Sequence, residues 1–285
     1  MKVSTTIADA RAAVARARAE GARIGFVPTM GALHAGHLSL VERSRREAEF
    51  TVMSIFVNPL QFGPAEDLSR YPRPVAEDER LASDAGVDLL FRPDVSEMYG
   101  AHRSVTVTAG VLGSKWEGSS RPGHFDGVLT VVAKLFNIIR PDIAVFGQKD
   151  LQQAALVRAM VRDLDMPVAI VVSPIVRESD GLALSSRNSY LSPEERRSAT
   201  TLSRALRSIA KRFDEGERSV EALEAEGKRV VAKDSGVALD YLSVIDQQTF
   251  ENPDVAQSGN SAIIAARVGT TRLIDNMTLG RNDQD

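Results

Sequence analysis

Short apolar stretches alternate with amphipathic ones along the first 175 residues. The apolar stretches are rich in Val, Ile and Phe and predict strands at 23–27, 51–57, 87–91, 143–146 and 168–172. The stretches between them have apolar residues at helical spacing or are rich in Ala and charged residues, and predict helices at 14–20, 38–49, 75–85, 126–139 and 151–164. Strands that alternate with helices predict an α/β domain with a mainly parallel sheet.

The pattern changes after about residue 176. Ser192 precedes Pro193 and two glutamates, which is typical of a helix start. Helices are predicted to about residue 213 and over 219–233, followed by strands at 240–245, 262–268 and 271–274. We therefore expect two domains, an α/β domain over 1–175 and a smaller α+β domain over 176–285.

Composition narrows the class of protein. Of 285 residues, 43% are hydrophobic and 26% charged, which excludes a disordered chain. The net charge is −3, so nucleic acid is a poor candidate partner. Cysteine is absent, which excludes disulfides and thiolate chemistry. No apolar run approaches the roughly 20 residues of a membrane span, and the amino end lacks an apolar signal segment, so we expect a cytoplasmic protein with no membrane partner.

In parallel sheets, ligands bind beyond the carboxyl ends of the strands. The first such loop contains His34 and His37, which are expected on one side of a helix start. A helix start has unpaired backbone N–H groups that attract anions, and Gly31 and Gly36 allow close approach. The alternative, a pair of surface histidines, is less favoured because these features coincide at one strand end.

Two further loops contain phosphate-binding residue types. Lys149, in the stretch Gly147–Asp150, follows a strand as a point charge, while Asp150 is equally well explained as a helix cap. The stretch Leu184–Arg187 contains two hydroxyls and a guanidinium, which together suit binding of a polyanion. Its polarity also suits a loop that closes when a ligand binds. An exposed turn explains the stretch equally well.

The remaining candidates are polar residues near these loops. Gln61 and Gln153 are neutral donors for a hydroxyl or a carboxylate. Arg121 is suited either to a ligand or to a surface ion pair, and His124 either to a ligand or to a structural hydrogen bond. Asp78 could contact a nucleotide-bound Mg²⁺, although an exposed acidic helix explains it as well. No metal site built from protein ligands alone is expected.

The combination resembles a known family. The sequence His34-Ala35-Gly36-His37 is similar to the HxGH signature of nucleotidyltransferases and class I aminoacyl-tRNA synthetases. Five linked motifs resemble the pantothenate synthetase family in order and spacing, over nearly the whole chain. They begin at residues 28, 56, 121, 146 and 185. Gln148 stands where the family often has Glu, and a solvent-side position would tolerate either.

The resemblance implies a Rossmann-like first domain that binds nucleotide and pantoate, a second domain that acts as a lid, and a homodimer. It implies ATP-dependent joining of pantoate to β-alanine through a pantoyl adenylate, with Mg²⁺, releasing AMP and pyrophosphate. Catalytic roles would fall to His34, His37, Lys149, Ser185, Ser186 and Arg187, with His37 as proton donor. Gln61 and Gln153 would bind pantoate, and Gln61 would also lie near β-alanine. The residues implied to contact ATP are Met30, Gly31, Ala32, Leu33, His34, Ala35, Gly36, His37, Gly147, Gln148, Lys149, Asp150, Val176, Leu184, Ser185, Ser186 and Arg187.

Three alternatives stay open at this stage. A related adenylyl- or cytidylyltransferase would keep the nucleotide in its product. A tRNA synthetase fragment is disfavoured by the acidic charge balance and by the lack of an anticodon-sized extension. A non-enzymatic ATP sensor would need none of the anion donors beyond the helix start.

Overall fold

A computed structural model of the chain describes residues 1–64, 66–100 and 103–280. The strands are β1 Lys2–Ser4, β2 Ile24–Thr29, β3 Phe50–Ile55, β4 Leu89–Phe91, β5 Ile143–Gly147, β6 Ala169–Ser173, β7 Val237–Ile245, β8 Ser261–Val268 and β9 Thr271–Thr278. The helices are α1 Ile7–Ala19, α2 Ala35–Glu47, α3 Val75–Asp84, α4 Val95–Met98, α5 Trp116–Ser120, α6 His124–Ile139, α7 Leu151–Asp163, α8 Pro193–Asp214 and α9 Val220–Val231. In these described ranges, no helix is long and apolar enough to cross a membrane.

The chain divides into two compact units. The first unit comprises residues 1–147 and 152–173, and the second comprises 148–151 and 174–285. The division thus falls two residues before the expected boundary and assigns the turn around Lys149 to the second unit. The first unit has a six-stranded parallel sheet and the second a three-stranded antiparallel sheet. The predicted fold class is therefore confirmed.

The strands of the first unit run in the order β1-β4-β3-β2-β5-β6. Because side chains alternate across a strand, Phe26 lies in one core cluster and Val27 in another. The cluster around Phe26 includes residues of α1 and α6, whereas the cluster around Val27 includes residues of α2 and α3. Helices thus cover both faces of the sheet, and the strand ends are left for loops.

Pro28 does not end its strand as the sequence suggests, since β2 continues to Thr29. Pro28 pairs with Ser54 of β3, whereas the pairing with β5 covers Gly25 and Phe26. A proline is tolerated there because the ladder on the β5 side has already ended. The short elements β1, α4 and α5 are also absent from the sequence-based prediction, because three to five residues carry too little periodicity to recognise.

In the second unit, α8 and α9 pack on the sheet of β7, β8 and β9 around one apolar cluster that includes Leu206 and Ile264. The predicted start of α8 is confirmed. Ser192 Oγ accepts from the Glu195 N–H at 3.2 Å, and the Glu195 carboxylate accepts from the Ser192 N–H at 2.8 Å. This reciprocal capping box satisfies two backbone donors that would otherwise lack partners.

Candidate functional site

The turn that contains the two histidines lies where the strand order reverses. From β2, the chain continues to β3 and β4 on one side of the sheet, and later to β5 and β6 on the other. A crevice forms at such a reversal because the crossing connections diverge there. Residues 30–37 follow β2 directly and lead into α2. Met30 is half-buried and Ala35 is exposed at the first position of α2.

A buried carboxylate holds this turn. The two oxygens of Asp78, which is 2% exposed, accept from the N–H groups of Ala32 at 2.9 Å and Leu33 at 2.7 Å. Burial raises the pKa of the Asp78 carboxyl, and these two hydrogen bonds oppose that shift. Gly31 has φ +83°, and a Cβ there would lie 2.8 Å from an Asp78 oxygen, so glycine is required. The reading of Asp78 as part of an exposed acidic helix is wrong.

The expectation that the backbone N–H groups of this turn are unpaired is also wrong for five of them. Besides the two N–H groups bound to Asp78, the Gly31 N–H donates to Thr29 Oγ1 at 3.2 Å. The N–H groups of His34 and Gly36 donate to Nδ1 of His37 and of His34, at 3.3 Å and 3.1 Å. These N–H groups are therefore already bound by the side chains of Thr29, Asp78 and the two histidines.

These hydrogen bonds indicate which ring nitrogen carries the proton in each neutral imidazole. Since each Nδ1 accepts a hydrogen bond, the proton of a neutral ring lies on Nε2. The expectation that the two rings share one side is confirmed, because their centroids lie 4.1 Å apart. His34 and His37 are thus arranged with Nε2–H as their donor.

Gln61 lies in a second polar cluster of the first unit. Its side-chain Oε1 accepts from Asn58 Nδ2 at 3.0 Å, and its Nε2 lies 3.2 Å from the Met30 sulfur. Asn58, 1% exposed, also donates to the Gly127 carbonyl and accepts from the Tyr99 hydroxyl at 2.8 Å. These contacts orient the amide of Gln61, which is 8% exposed, so that its donor end lies toward Met30 in the histidine turn.

Arg121 and His124 support the same segment. Arg121 donates to both carboxylate oxygens of Glu66 at 2.9 and 2.5 Å, and its side chain is 16% exposed, so the ion pair is largely buried rather than on the surface. Arg121 also donates to His124 Nε2 at 3.0 Å. His124 Nδ1 must then carry the ring proton, which it donates to the Gln61 carbonyl at 2.8 Å. The structural hydrogen bond considered for His124 is thus present.

His124 is neutral for a physical reason. Burial, followed by the positive charge of Arg121, lowers its pKa to about 4. A charged ring would also lose the acceptor that Arg121 uses. Burial likewise raises the pKa of Tyr99 to about 12. The polar cluster around Gln61 therefore consists of neutral groups, namely Asn58, Tyr99 and His124, and of one largely buried ion pair, Arg121 with Glu66.

Two other predicted residues of the first unit lie at element ends. Gly147 is the last residue of β5, and Gln153 is half-buried in the first turn of α7. Its neighbour Gln152 is buried and bonds to the backbone of the 112–117 segment. The first unit thus contains residues 30–37, Gln61, Asp78, Gly147 and Gln153 of the expected set.

The second unit contains the rest of the predicted set. Lys149 is half-buried in a 3-10 turn over Gln148–Asp150, and Asp150 is exposed. Asn276 of β9 donates from Nδ2 to the carbonyls of Gln148 at 2.9 Å and Lys149 at 3.0 Å. Gln148 is half-buried and donates to Thr278 Oγ1 at 3.2 Å and to Asn276 Oδ1 at 3.4 Å. Gln148 is therefore partly exposed, and its amide is bound to side chains of β9.

Val176 and Leu184 pair across a narrow hairpin. The Leu184 N–H donates to the Val176 carbonyl at 3.0 Å, and Arg177 and Ala183 form an antiparallel bridge. Ser185 then caps a 3-10 helix over Ser186–Tyr190 by accepting from the Arg187 N–H at 3.3 Å. The loop that contains Ser185, Ser186 and Arg187 thus leaves the hairpin at a defined point.

Sequence reasoning missed the residues that hold these turns. The sequence indicates Asp78 only as a neighbour of Mg²⁺ or as part of an exposed acidic helix, and it does not indicate Asn276, Arg177 or Asp275. Their partners lie far away along the chain, so no local spacing indicates them. Asn58, which holds Gln61, is the exception, because the sequence Asn58-Pro59 is typical of a turn.

The chain is similar to proteins of one known family. A family profile described as pantoate-beta-alanine ligase matches residues 2–278. A pantothenate synthetase of Stutzerimonas stutzeri (strain A1501) is 53% identical over 280 residues, covering 97% of each chain.

Two solved structures are also similar. The pantothenate synthetase from Thermus thermophilus has a TM-score of 0.93 at 48% identity, covering 97% of this chain and 99% of that one. A pantoate-beta-alanine ligase from Francisella tularensis, solved with beta-gamma ATP and beta-alanine, has a TM-score of 0.82 at 31% identity over 100% of both chains. The resemblance found from the five motifs is thereby confirmed, and the chain belongs to the pantoate-beta-alanine ligase family.

Proposed function

We propose that the protein joins pantoate to β-alanine at the expense of ATP, through a pantoyl adenylate, and releases AMP and pyrophosphate. The observation that carries the proposal is the family match, which spans residues 2–278 and hence both units. The Francisella relative was solved in complex with beta-gamma ATP and beta-alanine, which supports ATP and β-alanine as substrates here.

In the first step, a carboxylate oxygen of pantoate bonds to the α-phosphorus of ATP, and the bond from that phosphorus to pyrophosphate breaks. Such a carboxyl group titrates at roughly pH 4, so it is already ionised and needs no base. The barrier lies in charge that builds on the phosphoryl oxygens and on departing pyrophosphate. The reaction therefore requires positioned donors rather than a protein nucleophile.

The proposed donors come from both units. In the first unit, His34 and His37 are in the tautomer with Nε2–H as donor, and we assign His37 as the proton donor. In the second, we assign phosphate binding to Lys149, Ser185, Ser186 and Arg187 because their side chains are cationic or hydroxylic. That all of them act on one nucleotide, and that residues 176–285 act as a lid, stay predictions.

In the second step, the amine nitrogen of β-alanine bonds to the pantoyl carbonyl carbon and loses a proton, and AMP leaves with the bonding electron pair. We assign Gln61 and Gln153 to pantoate. Support for Gln61 comes from its oriented amide, because Asn58 occupies Oε1 and leaves Nε2 as the donor for a hydroxyl or carboxylate oxygen.

Mg²⁺ stays a prediction. Within the described ranges, no group of three His, Asp or Glu side chains could hold a metal ion. The two oxygens of Asp78, the carboxylate expected near it, accept from Ala32 and Leu33. A Mg²⁺ ion would therefore be held by the phosphates of ATP and by water, which is common for this ion.

The proposal is tested by exchange of labelled pyrophosphate into ATP. We expect exchange that depends on pantoate and needs no β-alanine, followed by formation of AMP and an amide when β-alanine is added. A product that retains the nucleotide would instead indicate a nucleotidyltransferase. Absence of exchange would contradict the separate adenylate step. Light scattering of the purified chain tests the homodimer, and fractionation of the producing cells tests the cytoplasmic location.

A further inference from the structure

One buried amide controls the backbone on both sides of Lys149. Asn276 on β9 is 3% exposed, and its Nδ2 donates to the carbonyls of Gln148 at 2.9 Å and Lys149 at 3.0 Å. These carbonyls belong to the two peptide planes that flank the Lys149 Cα. Because each peptide is planar, holding both planes fixes the backbone dihedrals of Lys149 and hence the direction of its Cα–Cβ bond.

The residue before Asn276 holds a different segment. Asp275 accepts a two-pronged ion pair from Arg177 at 2.7 and 2.9 Å, and both side chains are largely buried, at 3% and 13% exposure. Arg177 also donates to the Asn276 carbonyl at 3.1 Å and to the Gly181 carbonyl at 3.2 Å. The hairpin that leads to Ser185 is thus fixed to β9 beside the turn of Lys149.

We propose that Asp275 and Asn276 are positioning residues for ATP. Asn276 sets the direction of Lys149, and Asp275 acts through Arg177 to set the hairpin before the Ser185–Arg187 loop. This inference rests on the proposed function, which assigns both segments to ATP. Two adjacent residues on one strand keep the two segments at a fixed separation, and a strand in a packed sheet is a rigid support.

The test compares ATP binding by calorimetry, and the KM for ATP in the exchange reaction, between the unchanged protein and Asn276→Ala. We expect the dissociation constant and the KM for ATP each to rise about tenfold, as for one weakened hydrogen bond between Lys149 and a charged phosphate oxygen. In the complete reaction with pantoate and β-alanine, the KM for β-alanine should change less than about twofold. Asn276→Asp keeps the side-chain volume, loses both donors, and replaces Asn276→Ala if the latter unfolds at the assay temperature.

Asn260→Ala is the matched control. Asn260 is also a buried asparagine of the second unit, at 7% exposure, but its Oδ1 accepts from the Gln257 N–H. This variant should lose similar stability in thermal unfolding and keep the unchanged protein's affinity for ATP. Equal weakening of ATP binding in Asn260→Ala and Asn276→Ala would overturn the inference, because the effect would then be general loosening of the unit.

A double variant tests whether Asn276 acts through Lys149. If it does, Asn276→Ala weakens ATP binding much less in a Lys149→Ala background than alone. If the fold-changes of the two single variants in the dissociation constant for ATP multiply in the double variant, the proposal that Asn276 acts through Lys149 is overturned. If the unchanged protein binds ATP but shows no pantoate-dependent exchange, the proposed function fails. The ATP affinities of the Asn276 and Asn260 variants would still show whether Asn276 is a positioning residue.

Discussion

The turns at 30–37 and 148–150 are held by hydrogen bonds of opposite direction. In the first unit, backbone N–H groups donate to the buried carboxylate of Asp78. In the second, backbone carbonyls accept from the buried amide of Asn276. Each turn thus depends on one side chain that is distant in sequence. The difference teaches that the first support is a charge whose protonation can change, whereas an amide keeps its donors at every pH.

The largest expected effects test whether both turns present side chains to ATP. We expect Lys149→Ala and His37→Ala each to lower the rate of pantoate-dependent exchange by about 10²–10³-fold, the range for loss of one charge-stabilising donor. Thermal unfolding should change little in Lys149→Ala, because Lys149 is only half-buried, whereas His37→Ala should lower the free energy of unfolding by about 1 kcal/mol, because the His34 N–H loses its acceptor. Lys233→Ala removes an exposed lysine as a control. A Lys149→Ala or His37→Ala enzyme with the unchanged rate would show that the assigned role is wrong.

The next effect concerns the pH dependence of stability that His124 causes in the polar cluster around Gln61. The pKa of His124 is about 4 in the folded protein, below its ordinary 6.5, so the unfolded chain binds more protons between these values. The free energy of unfolding should therefore fall as pH drops from 6.5 towards 4, by roughly 3 kcal/mol from this residue. Above pH 6.5 this contribution no longer changes.

The measurement is urea unfolding as a function of pH, followed by fluorescence of Trp116, the single tryptophan, which lies in the first unit. In His124→Asn, an amide replaces the titrating ring, so the same pH interval should show a shallower slope. Carboxylates contribute to both curves, and the difference between the two proteins isolates His124. Parallel curves would mean that His124 is not held neutral.

A smaller effect is expected from the support of the first turn. Asp78→Asn replaces one acceptor oxygen with an NH₂ group facing a backbone N–H. We expect it to lower the free energy of unfolding by about 1–3 kcal/mol, since a buried donor loses its partner. The lower cost of burying a neutral group opposes part of this loss. Asp84→Asn, on the same helix with a side chain 63% exposed, is the control and should change stability much less.

The smallest effect is expected at Gln148. Gln148→Glu removes the donor to Thr278 and Asn276 and places carboxylate oxygen near the Asn276 oxygen. We expect the free energy of unfolding, measured by thermal unfolding, to fall by about 0.5–1 kcal/mol, because the hydrogen bond donated by the Gln148 amide is lost. Gln257→Glu, at an exposed position in the same unit, is the control. An unchanged unfolding temperature in Gln148→Glu would show that the hydrogen bonds of the Gln148 amide do not contribute to stability.

The outline of the fold was predictable because both sheets obey local rules. The five predicted strands of the first unit and the three of the second coincide with β2 to β9 within a few residues. Errors fell on β1, a three-residue edge strand, and on Pro28, which the sequence suggests as a strand end. Whether a proline fits within a strand depends on which neighbour is still paired there, and this is decided only when the sheet assembles.

The amino-acid sequence by itself determined the alternation of strands and helices and the chemical types of the loop residues, because periodicity and residue identity are local properties. The five motifs also indicated the family. Only the tertiary structure decided that Asp78 occupies the N–H groups of the histidine turn, that His124 is neutral, and that Asn276 holds Lys149. Each of these depends on burial or on a partner distant along the chain, and both exist only once the elements have packed.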